Sequence, residues 1–364
     1  MKLPELIVKD YCQKNPIWQG GMGAGISRAR LASAVSREGG LGIISSVGLD
    51  AICLAKTGRK IDIYTAVREE IEKAKDLCGG GPIGINVMRA VYQDYEPSVR
   101  AAIDAGVDAI ISGAGLPMNL PSIQLPGHTA LVPIVSSFRG LRVLITAWSK
   151  CHYRPDAVVL EGPMAGGHLG FKFQELEDPE FALEKLLPPV LDLAHKNGDI
   201  PVIVAGGIFT HEDIIKFLTM GASGVQLGTR FLGTHESDAS LSYKQALVAA
   251  EQEDIIVVSY PERLPASSAG LPFRTIRSSP ALTANRLPKC TYGYLLRPNS
   301  EGKLYCPAMP QNPESGSFLC PCSELLASCD CDPNEPELYT VGSNAYRVKE
   351  ILSVAKLMAE LRGE

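Results

Sequence analysis

The chain has 364 residues, 45% of them hydrophobic and 21% charged, enough for one large domain or for a domain with an appendage. A formal charge of −5 and a pI near 5.8 leave no basic footprint for nucleic acid or an anionic membrane surface. No apolar run approaches the roughly 20 residues of a membrane span, and the opening MKLPELIVKDYC lacks the apolar core of a signal peptide. The expectation is a cytoplasmic enzyme with reduced thiols and a small-molecule substrate.

From residue 16 to about 252, apolar strand-like runs alternate with amphipathic helix-like segments. Pro16 to Met22 reads as a strand entering a glycine-rich turn, after which Ser27 is expected to cap a helix that Gly39 and Gly40 stop. The second strand is LGIISS (41–46), followed by a helix from about Tyr64 to Leu77 with Glu/Lys pairs at helical spacing. PIGINVM (82–88) and DAIISGAG (108–115) are the third and fourth strands; a helix from Pro97 to Ala105 lies between them and a Pro-rich connection with at most a short helix follows. LVPIVSS (131–137) is the fifth, with a helix near Leu141 to Trp148. DAVVLEGPMAGGHLGF (156–171) carries the sixth and its glycine-rich turn, with a helix from Pro179 to His195 after it. PVIVAGG (201–207) and GVQLGTR (224–230) complete the set; helices are expected at Thr210 to Met220 and Leu241 to Glu251.

Eight β-then-α units in a little under 250 residues predict an α/β fold, a TIM (β/α)8 barrel. The competing open, doubly wound sheet rests on Gly21, Gly23 and Gly25, but the next strand ends at Ser45–Ser46, where an acidic ribose ligand is wanted. The barrel is assigned to 1–252 and a C-terminal extension to 253–364. In the extension, IIVVSYPERLPASSAGLPFRTIRSS reads as a strand and loop returning to the barrel. A cysteine-rich stretch at 288–337, too irregular for an apolar core of its own, is followed by an amphipathic helix from about Asn344 to Leu361.

Function in a barrel sits at the carboxyl ends of the strands. The glycine turns Gly206–Gly207 and Gly228–Thr229, after strands seven and eight, are where barrels commonly bind phosphate on backbone N–H groups. His168, in the turn after strand six, is the candidate acid/base group: an imidazole with its ordinary pKa near 6.5 can move a proton in either direction. His235, after strand eight, is the second choice. No HExxH and no serine elbow occurs in the barrel, which argues against metal or triad hydrolysis.

PIWQGGMG (16–23), GINVM (84–88), AGGHLG (165–170), VIVAGGI (202–208) and QLGTRF (226–231) together resemble the nitronate monooxygenase (2-nitropropane dioxygenase) family. That family includes NAD(P)H-dependent flavin oxidoreductases and flavin-type enoyl-acyl-carrier-protein reductases. The resemblance implies FMN held by Gly20, Gly21, Met22, Asn86, Gly166, Gly206, Gly207, Gln226, Gly228 and Thr229, with Glu161 and Gly167 from the same turn added to the set. His168 falls on the family's catalytic histidine, and NAD(P)H is implied as electron donor. Two positions depart: Glu161 stands where nitronate-oxidising members tend to have Gln, and Met164 replaces a usual acidic residue. An ionised carboxylate there disfavours an anionic reduced flavin and an anionic substrate. SAGLPFRTIRS and GSNAYRVKEI resemble the longer members of the family.

Cysteine use divides the chain. Cys12, Cys53, Cys78 and Cys151 are scattered, whereas Cys290, Cys306, Cys320, Cys322, Cys329 and Cys331 fall in one stretch. They offer thiolates for zinc or an iron–sulfur cluster, although the C-x-C spacing differs from the commoner C-x2-C; the alternative is a loop of reduced cysteines packed on the barrel. Three activities stay open: oxidation of a small carbon acid by an FMN enzyme, NAD(P)H-dependent reduction of activated alkenes or quinones, and a non-catalytic flavin electron-transfer module. A homodimer is left open too.

Overall fold

Strands buried on both faces define the centre of the molecule. The computed structural model describes residues 2–260, 271–284, 290–306 and 319–364. In it β1 (Ile17–Gln19), β2 (Leu41–Ser45), β3 (Ile83–Met88), β4 (Ala109–Gly113), β5 (Ala130–Val135), β6 (Val158–Glu161), β7 (Val202–Ala205) and β8 (Gly224–Leu227) pair in parallel in chain order. Pairing of Gln226 with Trp18 joins β8 to β1 and closes the barrel. The side-chain period of two sorts each strand between two cores. Trp18, Ile43, Ile111, Val132, Val159 and Ile203 fill the barrel, while their neighbours Ile17, Ile44, Ile110, Leu131, Val158 and Val204 pack outward on the helices.

An antiparallel hairpin, Leu6–Val8 with Tyr11–Gln13, precedes the barrel, and Leu6, Val8 and Tyr11 join its interior cluster. It therefore plugs the end opposite the functional loops. Neither it nor the helix Leu49–Thr57 was expected, because both runs are short and weakly periodic. The remaining helices fall close to their expected places: Ile63–Leu77, Tyr95–Asp104, Leu120–Ile123, Phe138–Ser149, His211–Thr219 and Leu241–Ala249. The segment after β6 splits into a 3-10 turn, Pro179–Phe181, and the helix Leu183–Lys196.

Two local expectations are corrected. Ser27 does not cap the first helix, Ala29–Arg37; its hydroxyl accepts from the Met22 N–H at 2.7 Å, and Glu70 of a neighbouring helix accepts from the Ala29 N–H at 2.7 Å. The continuous helix expected from Asn344 to Leu361 is a 3-10 turn, Ala345–Arg347, an extended link, and a helix at Val354–Arg362 capped by Ser353. The link is extended because Leu352 bridges to Thr234 and donates its N–H to the Gly233 carbonyl.

In the extension, Ile255–Tyr260 and Leu271–Ile276 form an antiparallel pair, and Phe273–Arg274 pairs in turn with Gly167–His168. The cysteine-rich stretch is better packed than expected. It contains a helix, Pro321–Ala327; Leu319 joins Val258, Phe273, Ala281 and Leu338 in a small apolar core, and Leu326, Cys329 and Cys331 join the main one. The parts of that stretch at 288–289 and 307–318 lie outside the described residues. Among the described residues no helix is long and apolar enough to cross a membrane.

Candidate active site

β6, β7 and β8 end side by side, and their turns wall a cavity of about 100 Å³. Glu161, the last residue of β6, pairs with Ala205. The parallel ladder runs one bond further, the Gly162 N–H donating to the Ala205 carbonyl at 2.8 Å, before the chain turns. Gly206 and Gly207 adopt φ +97° and +85°, which an L side chain rarely adopts. A Cβ on Gly207 would lie 2.8 Å from the Met164 sulfur, so the turn closes only over glycine.

Seven of the sequence-derived residues line this cavity together: Glu161, Gly166, Gly206, Gly207, Gln226, Gly228 and Thr229. Four more, Gly20, Gly21, Met22 and Asn86, lie outside the lining at neighbouring strand ends. Gln226 fills the space where Gly20 would carry a Cβ, Gly21 touches Asn86, and the Met22 sulfur lies 3.7 Å from the Cβ position of Gly228. Gly167 and His168 are placed differently, on the two-residue strand beside Phe273–Arg274, outside the cavity lining. The His168 ring meets Phe273 edge-on, with centroids 4.9 Å apart. His235 is held by backbone to Leu352 and does not line the cavity.

Sequence reasoning missed the closure of this cavity by the C-terminal extension. The Gly342 N–H donates to Thr229 Oγ1 at 2.8 Å, and Asn344 Nδ2 donates to the Gly207 carbonyl at 2.6 Å. Ser343 bonds the Met164 carbonyl, and a Cβ on Gly166 would collide with the Val341 backbone at 2.5 Å. Residues 341–344 thus lie across both glycine turns. Arg274 was missed as well. It is 7% exposed, and its guanidinium donates to the Pro163 and Ala165 carbonyls, fixing the turn that leads to His168. The only local signal for either was Gly-Ser-Asn at 342–344, which marks a turn and not its location.

Enclosure by protein shifts both titratable groups in opposite directions. Burial pushes the Glu161 carboxyl up to about 7, so near neutral pH it is about half protonated. Burial pushes His168 down to about 4, so its imidazole is neutral. Both keep some accessible surface, so they are surrounded rather than sealed. The expected two-way acid/base role of His168 is narrowed accordingly: the neutral ring is free to accept a proton, though as a weaker base than ordinary imidazole, and holds no imidazolium proton to donate. The concern over an anionic Glu161 is weakened, because its neutral form persists to about pH 7.

Two features of the cavity wall suit the phosphate and a polar edge of a flavin. Glycine turns bring bare backbone to that wall, and Gln226 Oε1 is a buried acceptor without a hydrogen-bond partner, which a ligand hydroxyl or N–H would satisfy. Among the described residues no group of three His, Cys, Asp or Glu side chains is placed to hold a metal ion.

A model of the nitronate monooxygenase family matches residues 6–364. The chain belongs to the nitronate monooxygenase family. Among its relatives, the (3aS,4S,5R,7aS)-5-hydroxy-7a-methyl-1-oxo-octahydro-1H-indene-4-carboxyl-CoA dehydrogenase of Mycobacterium tuberculosis is 29% identical over 265 residues, 73% of this chain and 64% of that protein. The match thus spans just under two thirds of that relative's length. A probable nitronate monooxygenase of Bacillus subtilis is 27% identical over 267 residues, 68% of this chain and 74% of that protein. Among solved structures, FabK from Thermotoga maritima superposes with a TM-score of 0.67 at 25% identity, over 96% of this chain and 92% of that one. A nitroalkane oxidase from Streptomyces ansochromogenes shares the fold, with a TM-score of 0.64 at 22% identity over 98% and 96% of the two chains.

Proposed function

We propose that this family member is an FMN-dependent oxidoreductase acting on a small activated carbon acid. The observation that carries the reading is the cradle of Gly206–Gly207 and Gly228–Thr229 beside the unpartnered Gln226 Oε1. In this reading Gly206, Gly207, Gly228 and Thr229 hold the phosphate of FMN, and Gln226, Asn86, Gly20, Gly21, Met22, Glu161, Gly166 and Gly167 complete the cofactor site. Bound FMN would supply the electron-transfer chemistry. The neutral His168 Nε2 or Nδ1 takes the substrate's carbon-bound proton, and Phe273 and Arg274 position the ring through the short strand. Asn344 and Gly342 hold the turns shut and exclude water from the cradle.

A second reading, reduction of an activated alkene such as an enoyl thioester, or of a quinone, by NAD(P)H, is favoured by one feature. Glu161, where a nitronate oxidase tends to carry Gln, is neutral enough near pH 7 to donate a hydrogen bond or proton that His168 does not. The similarity to FabK and to the indene-4-carboxyl-CoA dehydrogenase supports the same direction. One anaerobic experiment separates the readings: flavin bleaching followed with NADH, NADPH and a nitronate in turn. Bleaching by a nitronate alone supports the first reading, and bleaching by a nicotinamide with reoxidation by an enoyl thioester or quinone supports the second. A protein that takes up no FMN defeats both.

A further inference from the structure

Away from the flavin cradle, a cavity of about 200 Å³ opens beside Cys329 and Cys331. Four cationic side chains line it: Arg28, Arg30, Lys56 and Lys244. Glu70 accepts from Arg28 at 3.1 Å; Asp238, also in the lining, has Oδ1 3.6 Å from Arg30 and its Oδ2 buried without a hydrogen-bond partner, so one carboxylate faces four cations here. Asp330 lies exposed at the rim. Lys56 and Lys244 donate instead to the Asp330 and Ser237 carbonyls, and among the described residues neither is ion-paired with a carboxylate.

The two cysteines are 3% and 8% exposed and share the cavity wall. Asp330 between them takes φ 57°, a left-handed turn; the Cys329 thiol donates to the Leu326 carbonyl at 3.2 Å and the Cys331 thiol to the Cys329 carbonyl at 3.4 Å. We propose that Cys329 and Cys331 form a reversible dithiol–disulfide centre whose cavity receives an anionic low-molecular-weight disulfide.

The division of roles follows from the surroundings. The neighbouring Cys329 sulfur, with Lys56 and Arg28 nearby, holds the Cys331 thiol below its ordinary range against the opposing effect of burial. Cys329, beside the Cys331 sulfur and buried, is pushed up, and its thiol donates to the Leu326 carbonyl. Cys331 is therefore the attacking thiolate and Cys329 the resolving thiol. Cys331 Sγ bonds to one sulfur of R–S–S–R while the S–S bond breaks, and R–S⁻ leaves and takes up a proton. Cys329 then loses its proton and attacks Cys331 Sγ, expelling the second thiol. Two protein thiols are oxidised to one disulfide, and one small disulfide is reduced to two thiols. The lysines recognise the anionic part of the ligand, whether carboxylate or phosphate. The second C-x-C pair, Cys320 and Cys322, also contains one thiol held low, near 6, but owes this to its partner thiol and Ser323 rather than to cations. Cys329 Sγ sits where Gly25 would carry a Cβ, 2.4 Å away, so the centre abuts the loop that follows β1.

The test uses the full reduced chain, with oxidised glutathione as the anionic probe and bis(2-hydroxyethyl) disulfide as the neutral one. Free thiols are alkylated at intervals and mapped by mass spectrometry. The expected result is a Cys329–Cys331 disulfide that dithiothreitol reverses, with C329S stopping at glutathione bound to Cys331. K56Q, at an exposed position, should slow the reaction with oxidised glutathione about five- to tenfold and leave the neutral disulfide within about twofold. Should C329S fail to fold, the K56Q comparison decides alone. First oxidation at Cys320–Cys322, or at the exposed Cys12 or Cys151, overturns the proposal, as does a K56Q effect equal for both disulfides or absent for both.

Discussion

Glu161 and His168 titrate in opposite senses, and their separation provides a direct test of how the site is enclosed. The folded pKa of Glu161, about 7, lies above its unfolded value of 4.5, so the native state favours the proton. Its stabilising contribution is complete below pH 4.5 and is lost as pH rises to about 7. His168, at about 4 in the folded chain against 6.5 unfolded, favours the neutral ring. Its contribution is complete above pH 6.5 and is lost as pH falls to about 4. Each shift corresponds to about 3 kcal/mol at 1.36 kcal/mol per pKa unit. The two contributions nearly cancel in the wild type, and a single substitution should expose the other one. Urea unfolding of flavin-free protein at half-unit steps from pH 4 to 8 measures this. The stability of Glu161→Gln relative to wild type should rise by about 3 kcal/mol from pH 4.5 to 7. The stability of wild type relative to His168→Asn should rise by a similar amount from pH 4 to 6.5. Other titrating groups, such as Asp94, raised to about 6 by burial and Asp50, are common to all three proteins and drop out of the differences. A difference that stays flat within about 1 kcal/mol for Glu161→Gln would mean that water reaches the carboxyl freely, and the desolvation argument fails.

Gly207→Val should yield protein without FMN, because its Cβ meets Met164 at 2.8–2.9 Å. Gly58→Ala, with φ +72° and nothing within 4 Å, should cost only the ~1 kcal/mol of left-handed strain and retain flavin, so equal flavin loss in both refutes the cradle. His168→Ala should keep its flavin spectrum while turnover of a carbon acid falls about 10²–10⁴-fold, with flavin reduction by nicotinamide less affected; wild-type rates in both half-reactions would make the histidine structural. Asn344→Ala removes the bond to the Gly207 carbonyl, worth ~1 kcal/mol, and should weaken FMN binding about fivefold by fluorescence titration; unchanged affinity would show that residues 341–344 do not secure the cradle.

The eight strands and most of their helices were legible because their signals are local. An apolar run such as Val158–Leu160 or Val202–Ala205 identifies a doubly buried strand, and paired glycines mark the turn that follows it. The grouping of Gly206, Gly207, Gly228 and Thr229 followed from strand order alone, once eight units were counted. Other features depended on partners far along the chain. The helix expected to begin at Asn344 starts ten residues later, at Val354, because Asn344 is bonded to Gly207, 137 positions away, and Gly342 to Thr229, 113 away. Helical periodicity near Val348 carried no trace of those bonds. The placement of His168 against Phe273 and Arg274 likewise came from a strand of the extension. Nor could the pKa values of Glu161 and His168 be read from their neighbours in sequence, because desolvation depends on how much protein surrounds a group in space. Local pattern therefore determined the barrel and the residue types at its mouth; the tertiary structure decided which of them meet, what closes over them and which protons they carry.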